Sequence, residues 1–399
     1  MSSIRLGEIG KISMCKRILK SQTNEFSGIP FYKISTFGGT PTVYIDEKIY
    51  REYKEKYSYP KKGDILISAA GTIGKTVIFD GEDSYFQDSN IVWIENDESK
   101  VTNQFLYYFL QTNPFITTNG STIKRLYNDN IRDTKMPNVP SIQQQNQITD
   151  ILGTLDKKIQ TNNQVNQELE AMAKTLYDYW FVQFDFPDQN GNPYKSSGGK
   201  MVYSPELKRE IPEGWGVEKL GNITICHDSK RVPLSSKDRE LVKGEIPYYG
   251  ATGIMDYVND YIFDGDYVLM AEDGSVMTEK GNPILQRISG KNWVNNHAHV
   301  LEPIKNYSCK LLMMLLKDVS VMQIKTGSIQ MKINQENMNK IVVPEIPLKL
   351  LFEINQKLEV IDKRQLNLIE ENKKLTQLRD WLLPMLMNGQ VKVKKGKEA

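Results

Sequence analysis

Ile65-Leu-Ile-Ser-Ala-Ala-Gly-Thr-Ile-Gly-Lys-Thr76 is the stretch whose residue types come nearest to known chemistry: a short apolar run enters a small-residue turn that closes on Gly74-Lys75-Thr76. A phosphate-binding loop asks for Gly, four residues, then Gly-Lys-Ser/Thr, so that backbone N–H groups and the lysine wrap a triphosphate at the start of a helix. Here Ala69 holds the first position, and Val77-Ile78-Phe79-Asp80-Gly81 follows where that helix should begin. The stretch therefore reads as a β-hairpin rather than an ATP site. Its tip can still meet DNA phosphates or base edges.

Other chemical candidates fail on context. His297-Ala-His299 puts two imidazoles on one face of a strand, as a metal site would. Only Cys226 and His227 offer further soft ligands, and no ligand spacing joins them, so the expected role is structural and no metal is assigned. Pro187-Asp188 with Glu206-Leu207-Lys208 imitates the carboxylates and lysine of a PD-ExK nuclease. That pattern needs a buried strand hairpin, whereas this segment is polar and Gly/Ser-rich and reads as a linker. Asn192-Pro193-Tyr194 is one proline short of the amino-methyltransferase motif, and no Phe-x-Gly-x-Gly loop accompanies it. No nucleophile, base and orienting acid stand together. Catalytic residues are not expected, and the sequence reads as a binding protein.

The elements that would position such a surface are written twice. Leu6-Gly7-Glu8-Ile9 returns as Leu220-Gly221-Asn222-Ile223, and Lys16-Arg17 as Lys230-Arg231. Ile29-Pro30-Phe31-Tyr32 returns as Ile246-Pro247-Tyr248-Tyr249, and Gly63-Asp64-Ile65-Leu66 as Gly265-Asp266-Tyr267-Val268. Gly120-Ser121 matches Gly327-Ser328, and Pro137-Asn-Val-Pro140 matches Pro344-Glu-Ile-Pro347. The repeating unit is roughly 200 residues, the size of a domain rather than a solenoid period. Each copy opens with β-branched and aromatic runs broken by Gly, Pro, Asn and Asp, which predicts a sheet-rich domain. After each Pro-x-x-Pro a stretch of about forty residues reads as one long helix, a rod of roughly 60 Å. Its seam steps by fours and threes through Ile148, Leu152, Leu155, Ile159, Asn162, Asn166, Leu169, Ala173, Leu176 and Trp180. The second copy steps through Ile354, Leu358, Ile361, Gln365, Leu368, Asn372, Leu375, Arg379, Leu382 and Leu386. Two matched heptad-like seams predict two long helices that pair within the chain. A two-fold relation between the copies would make them antiparallel, with the units at opposite ends. Polar positions such as Asn166 and Asn372 would fix register at some cost in stability.

The fold class expected is α+β: two β-rich mixed domains separated by two long antiparallel helices forming a coiled-coil-like spacer. The boundaries read are 1–140 and 214–347 for the domains, 141–185 and 348–390 for the helices, 186–213 for a linker and 391–399 for a basic tail. The chain has 399 residues and a formal net charge of +2, so a nucleic-acid surface must be a local patch. Cys15, Cys226 and Cys309 are far apart and odd in number, which suits free thiols in a reducing cytoplasm. The N-terminus does not resemble a signal peptide, and the longest apolar run, around Leu311–Leu316, is too short to span a bilayer.

The text NGNPYKSSGGKMVYSPELKREIPEGW (190–215), the preceding LYDYWFVQFDFP (176–187) and the two-copy plan resemble the specificity (S) subunit of type I restriction-modification systems. The resemblance covers essentially the whole chain. It implies that each β-rich unit is a target recognition domain reading one half of a bipartite site in double-stranded DNA. It also implies that the helices set the half-site separation and dock two methyltransferase subunits. The S subunit would carry no catalytic centre or cofactor. S-adenosylmethionine would sit on the methyltransferase partner, and ATP and Mg on the restriction (R) partner.

Phosphate contacts need Lys, Arg, hydroxyls and free N–H groups, while base contacts need forked or amide side chains at loop tips. Candidates in the first unit are Lys16, Arg17 and Lys20; Lys33, Ser35 and Thr36; Thr72 and Lys75; and Ser121, Lys124 and Arg125. In the second they are Lys230, Arg231 and Lys237; Tyr249 and Thr252; Ser275; and Ser328, Gln330 and Lys332. The tip Glu272-Asp273 either accepts from a cytosine amino group or faces solvent. The competing reading is a coiled-coil scaffold with two protein-binding domains and no DNA, which salt-dependent DNA binding would separate.

Overall fold

A computed structural model describes residues 3–115, 125–327, 331–391 and 393. The chain divides into two compact units, 1–162 with 370–399, and 163–369.

In the first unit, β1 (Gly10–Met14), β2 (Thr23–Asn24), β3 (Ile29–Tyr32) and β4 (Tyr44–Ile45) precede a helix, α1 (Glu47–Lys56). Then come β5 (Ile65–Ser68), β6 (Thr76–Ile78), β7 (Tyr85–Phe86), β8 (Ile91–Asn96) and α2 (Asn103–Gln111). Two four-stranded sheets result, in the orders β1-β8-β5-β6 and β2-β4-β3-β7. The β3–β7 pair is parallel, Tyr32 opposite Phe86. β5 and β8 read as continuous apolar runs because both faces are covered: Ile65, Ile67, Val92 and Ile94 join α2, while Leu66, Ile91 and Trp93 pack under the second sheet.

The second unit repeats this frame. β9 (Thr224–Cys226), β10 (Lys243–Tyr249), β11 (Ile254–Val258), β12 (Phe263–Asp264), β13 (Tyr267–Ala271), β14 (Leu285–Ile288), β15 (Lys291–Val294) and β16 (Ala298–Pro303) are followed by a helix, α3 (Cys309–Leu316). The sheet orders are β9-β16-β13-β14 and β11-β10-β15-β12. The parallel pair recurs between β10 and β15, Tyr249 opposite Val294. The duplicated Ile-Pro-Φ-Tyr text thus places the same strand in the same sheet twice.

Two long helices complete the units, one over Ile142–Tyr177 (the spacer helix) and one over Leu348–Met387 (the terminal helix). Within the first unit, Asp156 accepts from Arg379 at 2.9 Å, and buried Asn162 donates to Asn372 Oδ1 and Glu371 Oε2, both at 2.9 Å. Within the second, Gln365 Nε2 reaches the Asn166 carbonyl and Glu170 Oε2, each at 3.2 Å. In the first unit numbers rise on one helix as they fall on the other, Asp156 with Arg379 and Asn162 with Asn372, so the pairing there is antiparallel. Ile148, Leu152, Leu386, Ile354 and Leu358 are buried, and Leu155, Ile159, Leu169, Ile361, Leu375 and Leu382 are half-buried. Asn372 has Asn162 as its partner, while Asn166 offers its carbonyl and leaves its buried Oδ1 without a hydrogen bond. The terminal helix also runs through Pro384 into its last turn.

Residues 186–213 are not an open chain. Asp185 accepts from Ser196 N at 2.7 Å and from Ser196 Oγ at 2.6 Å, and Met201–Ser204 pairs with Arg209–Pro212 as a hairpin. Phe186 stacks on Tyr194 at 4.9 Å and on Trp215 at 5.3 Å. The averaged polarity of the segment conceals these spaced aromatics, which bury one another. The nuclease-like acids belong to its turns: Asp188 accepts from Asn190 N and Asn192 N, and Glu206 accepts from Ser204 Oγ.

Candidate nucleic-acid interface

Strand register decides which loops meet. In the first unit β1 ends at Met14 opposite Val92, and Ser68 at the end of β5 lies opposite Ile91. The loops after β1, between β5 and β6, and before β8 therefore leave one sheet edge together. The parallel β3–β7 pair brings 33–36 alongside 87–90, and Gln87 Oε1 accepts from Ile34 N at 2.9 Å. Ala69 N donates to Asn90 O at 2.8 Å, and Leu126 N to Ala69 O at 2.8 Å. Sequence-distant clusters thus converge on one rim.

The 65–78 stretch is the expected hairpin, with Ile65 opposite Ile78 and Ile67 opposite Thr76. Its tip is closed from inside: Ser68 Oγ donates to the Thr72 carbonyl and accepts from Lys75 N at 2.9 Å, while Gly71 and Gly74 take positive φ. Lys75 Nζ donates to the Phe37 carbonyl at 2.6 Å, tying the tip to the 33–37 loop. Arg125 likewise braces the rim, giving Nη2 to Ser89 Oγ at 2.8 Å and Ser89 O at 3.1 Å. Lys16 is exposed with its ammonium 5.0 Å above the Tyr57 ring. Arg17 and Lys20 project freely, Lys33 is half-buried, and Ser35 and Thr72 are exposed. Thr36 Oγ1 instead bonds the Lys33 backbone. Among the described residues none of these six cations faces a carboxylate partner, although half-buried Asp88 sits in the same loop cluster. Ser121, Lys124, Ser328 and Gln330, and most of the basic tail, lie outside the described residues.

The second rim has the same origin and a different charge plan. Ala271 ends β13 opposite Ala298, so 272–275 meets 295–298 and the turn after β9. Arg231, matched in the repeat to exposed Arg17, is folded inward with its side chain 11% exposed. It reaches Glu272 at 2.7 Å, Asp228 at 3.2 Å and the Ala298 carbonyl at 2.7 Å. Its expected phosphate contact is therefore corrected: the guanidinium is occupied inside the domain. Glu272 neither faces solvent nor offers itself to a base. Burial alone would raise its carboxyl pKa, but Lys332, 2.9 Å away, and Arg231 hold it below the usual range. Lys332 is thus paired with a carboxylate, while Lys230 and Lys237 remain exposed. Tyr249 packs into the core beside Phe263, Leu269 and Val294. Thr252 and Ser275 line an open groove of about 620 Å³ with Met255, Asp273, His297, Met331 and Lys332. His297 Nδ1 meets Asp273 Oδ1 at 2.5 Å there, a pair the sequence reading had not placed at the rim because the two residues are neighbours only through the β13–β16 register.

A family profile described as Type I restriction modification DNA specificity domain matches residues 1–171 and 212–378. A putative type I restriction enzyme specificity subunit of Haemophilus influenzae is 52% identical over 180 residues, covering 44% of this chain and 46% of that protein. The chain thus spans about half the length of that relative. The MjaIX specificity subunit of Methanocaldococcus jannaschii is 24% identical over 356 residues, 83% of this chain and 78% of that protein. The crystal structure of a type I restriction-modification S subunit from M. genitalium shares the fold, with a TM-score of 0.55 at 15% identity over 96% of this chain and 95% of that one.

Proposed function

The chain belongs to the type I restriction-modification DNA specificity family, and from that premise we propose that it reads a bipartite DNA target, one half-site per β-rich unit, while docking methyltransferase subunits for adenine methylation and restriction. The observation that carries this reading is the recurrence of one sheet frame whose loops converge on a single rim in each unit, with exposed cations at the first and an open groove of mixed lining at the second. Phosphate contacts would fall to Lys16, Arg17, Lys20, Lys33, Lys230 and Lys237. Rim hydroxyls such as Ser35, Thr72, Thr252 and Ser275 would add further phosphate contacts beside the bases.

Docking is supported by large apolar side chains off the helical seam. Met172, Phe352, Val360 and Ile369 in the second unit, and Leu378 and Trp381 in the first, are exposed, and apolar surface of this kind marks protein contacts. In this reading the chain itself is non-catalytic. S-adenosylmethionine belongs to the methyltransferase partner, and ATP and Mg to a restriction partner.

The test is to purify the chain with its methyltransferase partners, measure DNA affinity against salt, and map methylated adenines. A steep salt dependence and one bipartite methylation motif are expected. Salt-insensitive association with no motif would replace this reading by a protein-binding scaffold.

A further inference from the structure

His299 lies in β16 with its side chain 1% exposed. Its Nε2 stands 2.8 Å from the Ile333 carbonyl, which can only accept, so Nε2 carries the hydrogen. Nδ1 of the neutral ring is then a bare lone pair, yet it faces Asp228 Oδ2 at 2.5 Å, a second acceptor. At that separation the gap holds a proton, and a metal ion with bonds of about 2.0–2.2 Å would take its place only with the two atoms drawn apart to about 3.3 Å, a small side-chain rotation. Cys226 supplies a third donor atom, and the ligand atoms of Cys226, Asp228 and His299 all lie within 4.8 Å of one another. Strand register makes the cluster: Cys226 ends β9 opposite Leu301, and Val300 N holds the Asp228 carboxylate at 3.1 Å. A histidine whose far nitrogen donates to a backbone carbonyl has the orientation of a metal-ligating imidazole.

We propose that Cys226, Asp228 and His299 form a site for a borderline-soft divalent cation of the zinc class, bound through the thiolate, one carboxylate oxygen and Nδ1. This departs from the structural role expected of the histidine pair. Binding displaces the Cys226 thiol proton to solvent, so the bound ion adds one net positive charge, the same as a proton on His299. The neighbouring Arg231 and Glu272, whose Oε2 is 3.8 Å from Nδ1, are therefore compatible with either occupant. A bound ion would pin the turn that carries Lys230 to the central sheet.

The test uses the full chain, stripped with chelator and titrated with Co²⁺, then Zn²⁺. A sulfur-to-cobalt charge-transfer band should saturate at a single ion per chain, disappear on adding Zn²⁺, and be absent from Cys226→Ser. In the unaltered chain, Zn²⁺ at a hundred times its dissociation constant should slow alkylation of Cys226 about 100-fold. Buried Cys15 and Cys309 serve as internal controls, and this second readout decides the matter if the variant fails to fold. Cobalt binding without a sulfur band, or Cys226 alkylation unchanged by zinc, overturns the proposal and leaves a proton on His299. Neither readout involves DNA, so the outcome is independent of the proposed function.

Discussion

Arg17 and Arg231 occupy equivalent places in the repeat, yet one guanidinium projects freely and the other is held by Glu272 and Asp228. Their substitutions should therefore fail differently. Lys16→Ala with Arg17→Ala removes two phosphate contacts if the first rim lies on DNA, lowering the log–log salt slope by about two. The methylation motif should stay unchanged, and an altered motif at unaltered affinity would refute the assignment. Glu272→Gln leaves Arg231 largely buried without its nearest counterion. Removing one member of such a pair costs on the order of 3 kcal/mol, so a lowered denaturation midpoint is expected. A wild-type midpoint would show that Asp228 alone compensates Arg231.

At the scale of elements, the spacer and terminal helices are joined by few polar contacts in each unit. Asn162, 2% exposed, is the most enclosed of these. Asn162→Ala deprives Asn372 and Glu371 of a buried donor and should cost about 1–3 kcal/mol, read as destabilisation with the oligomeric state unchanged. We further expect the helices to set the half-site spacing. Four residues inserted after Asn163, with four matching residues in the terminal helix, add one turn, roughly 6 Å. At about 3.4 Å per base pair, this lengthens the unread spacer by one or two base pairs while both half-sites persist. Methylation mapping of the insertion variant gives the answer, and an active variant with its original spacer would show that the helices do not measure the distance.

For the whole molecule, the duplicated frame predicts modular readout. Exchanging residues 1–140 for those of a relative should alter one half-site and leave the other. A change in both would contradict the two-unit reading. The two rims should also contribute unequally to affinity. None of the first rim's described cations has a carboxylate partner, whereas Arg231 and Lys332 are paired with Glu272 in the second. Neutralising Arg17 and Lys20 should therefore flatten the salt dependence more than neutralising Arg231 and Lys332, measured in parallel titrations.

The sequence by itself determined the duplication, the sheet-rich character of each unit, the hairpin at 65–78 and the helical seams. These depend on periodicities of two and of three to four residues, which local text displays directly. The folded state of 186–213 was less legible, because Phe186, Tyr194 and Trp215 bury one another only after the chain turns back. Tertiary structure alone decided which charges stay free. Arg17 and Arg231 look alike in one dimension, and what separates them is whether a carboxylate from β13 or its following loop stands within reach. The same holds for Cys226, Asp228 and His299, brought together by the pairing of β9 with β16. A charge is placed by its partners, and partners distant in sequence are assigned only when strand register closes the sheet.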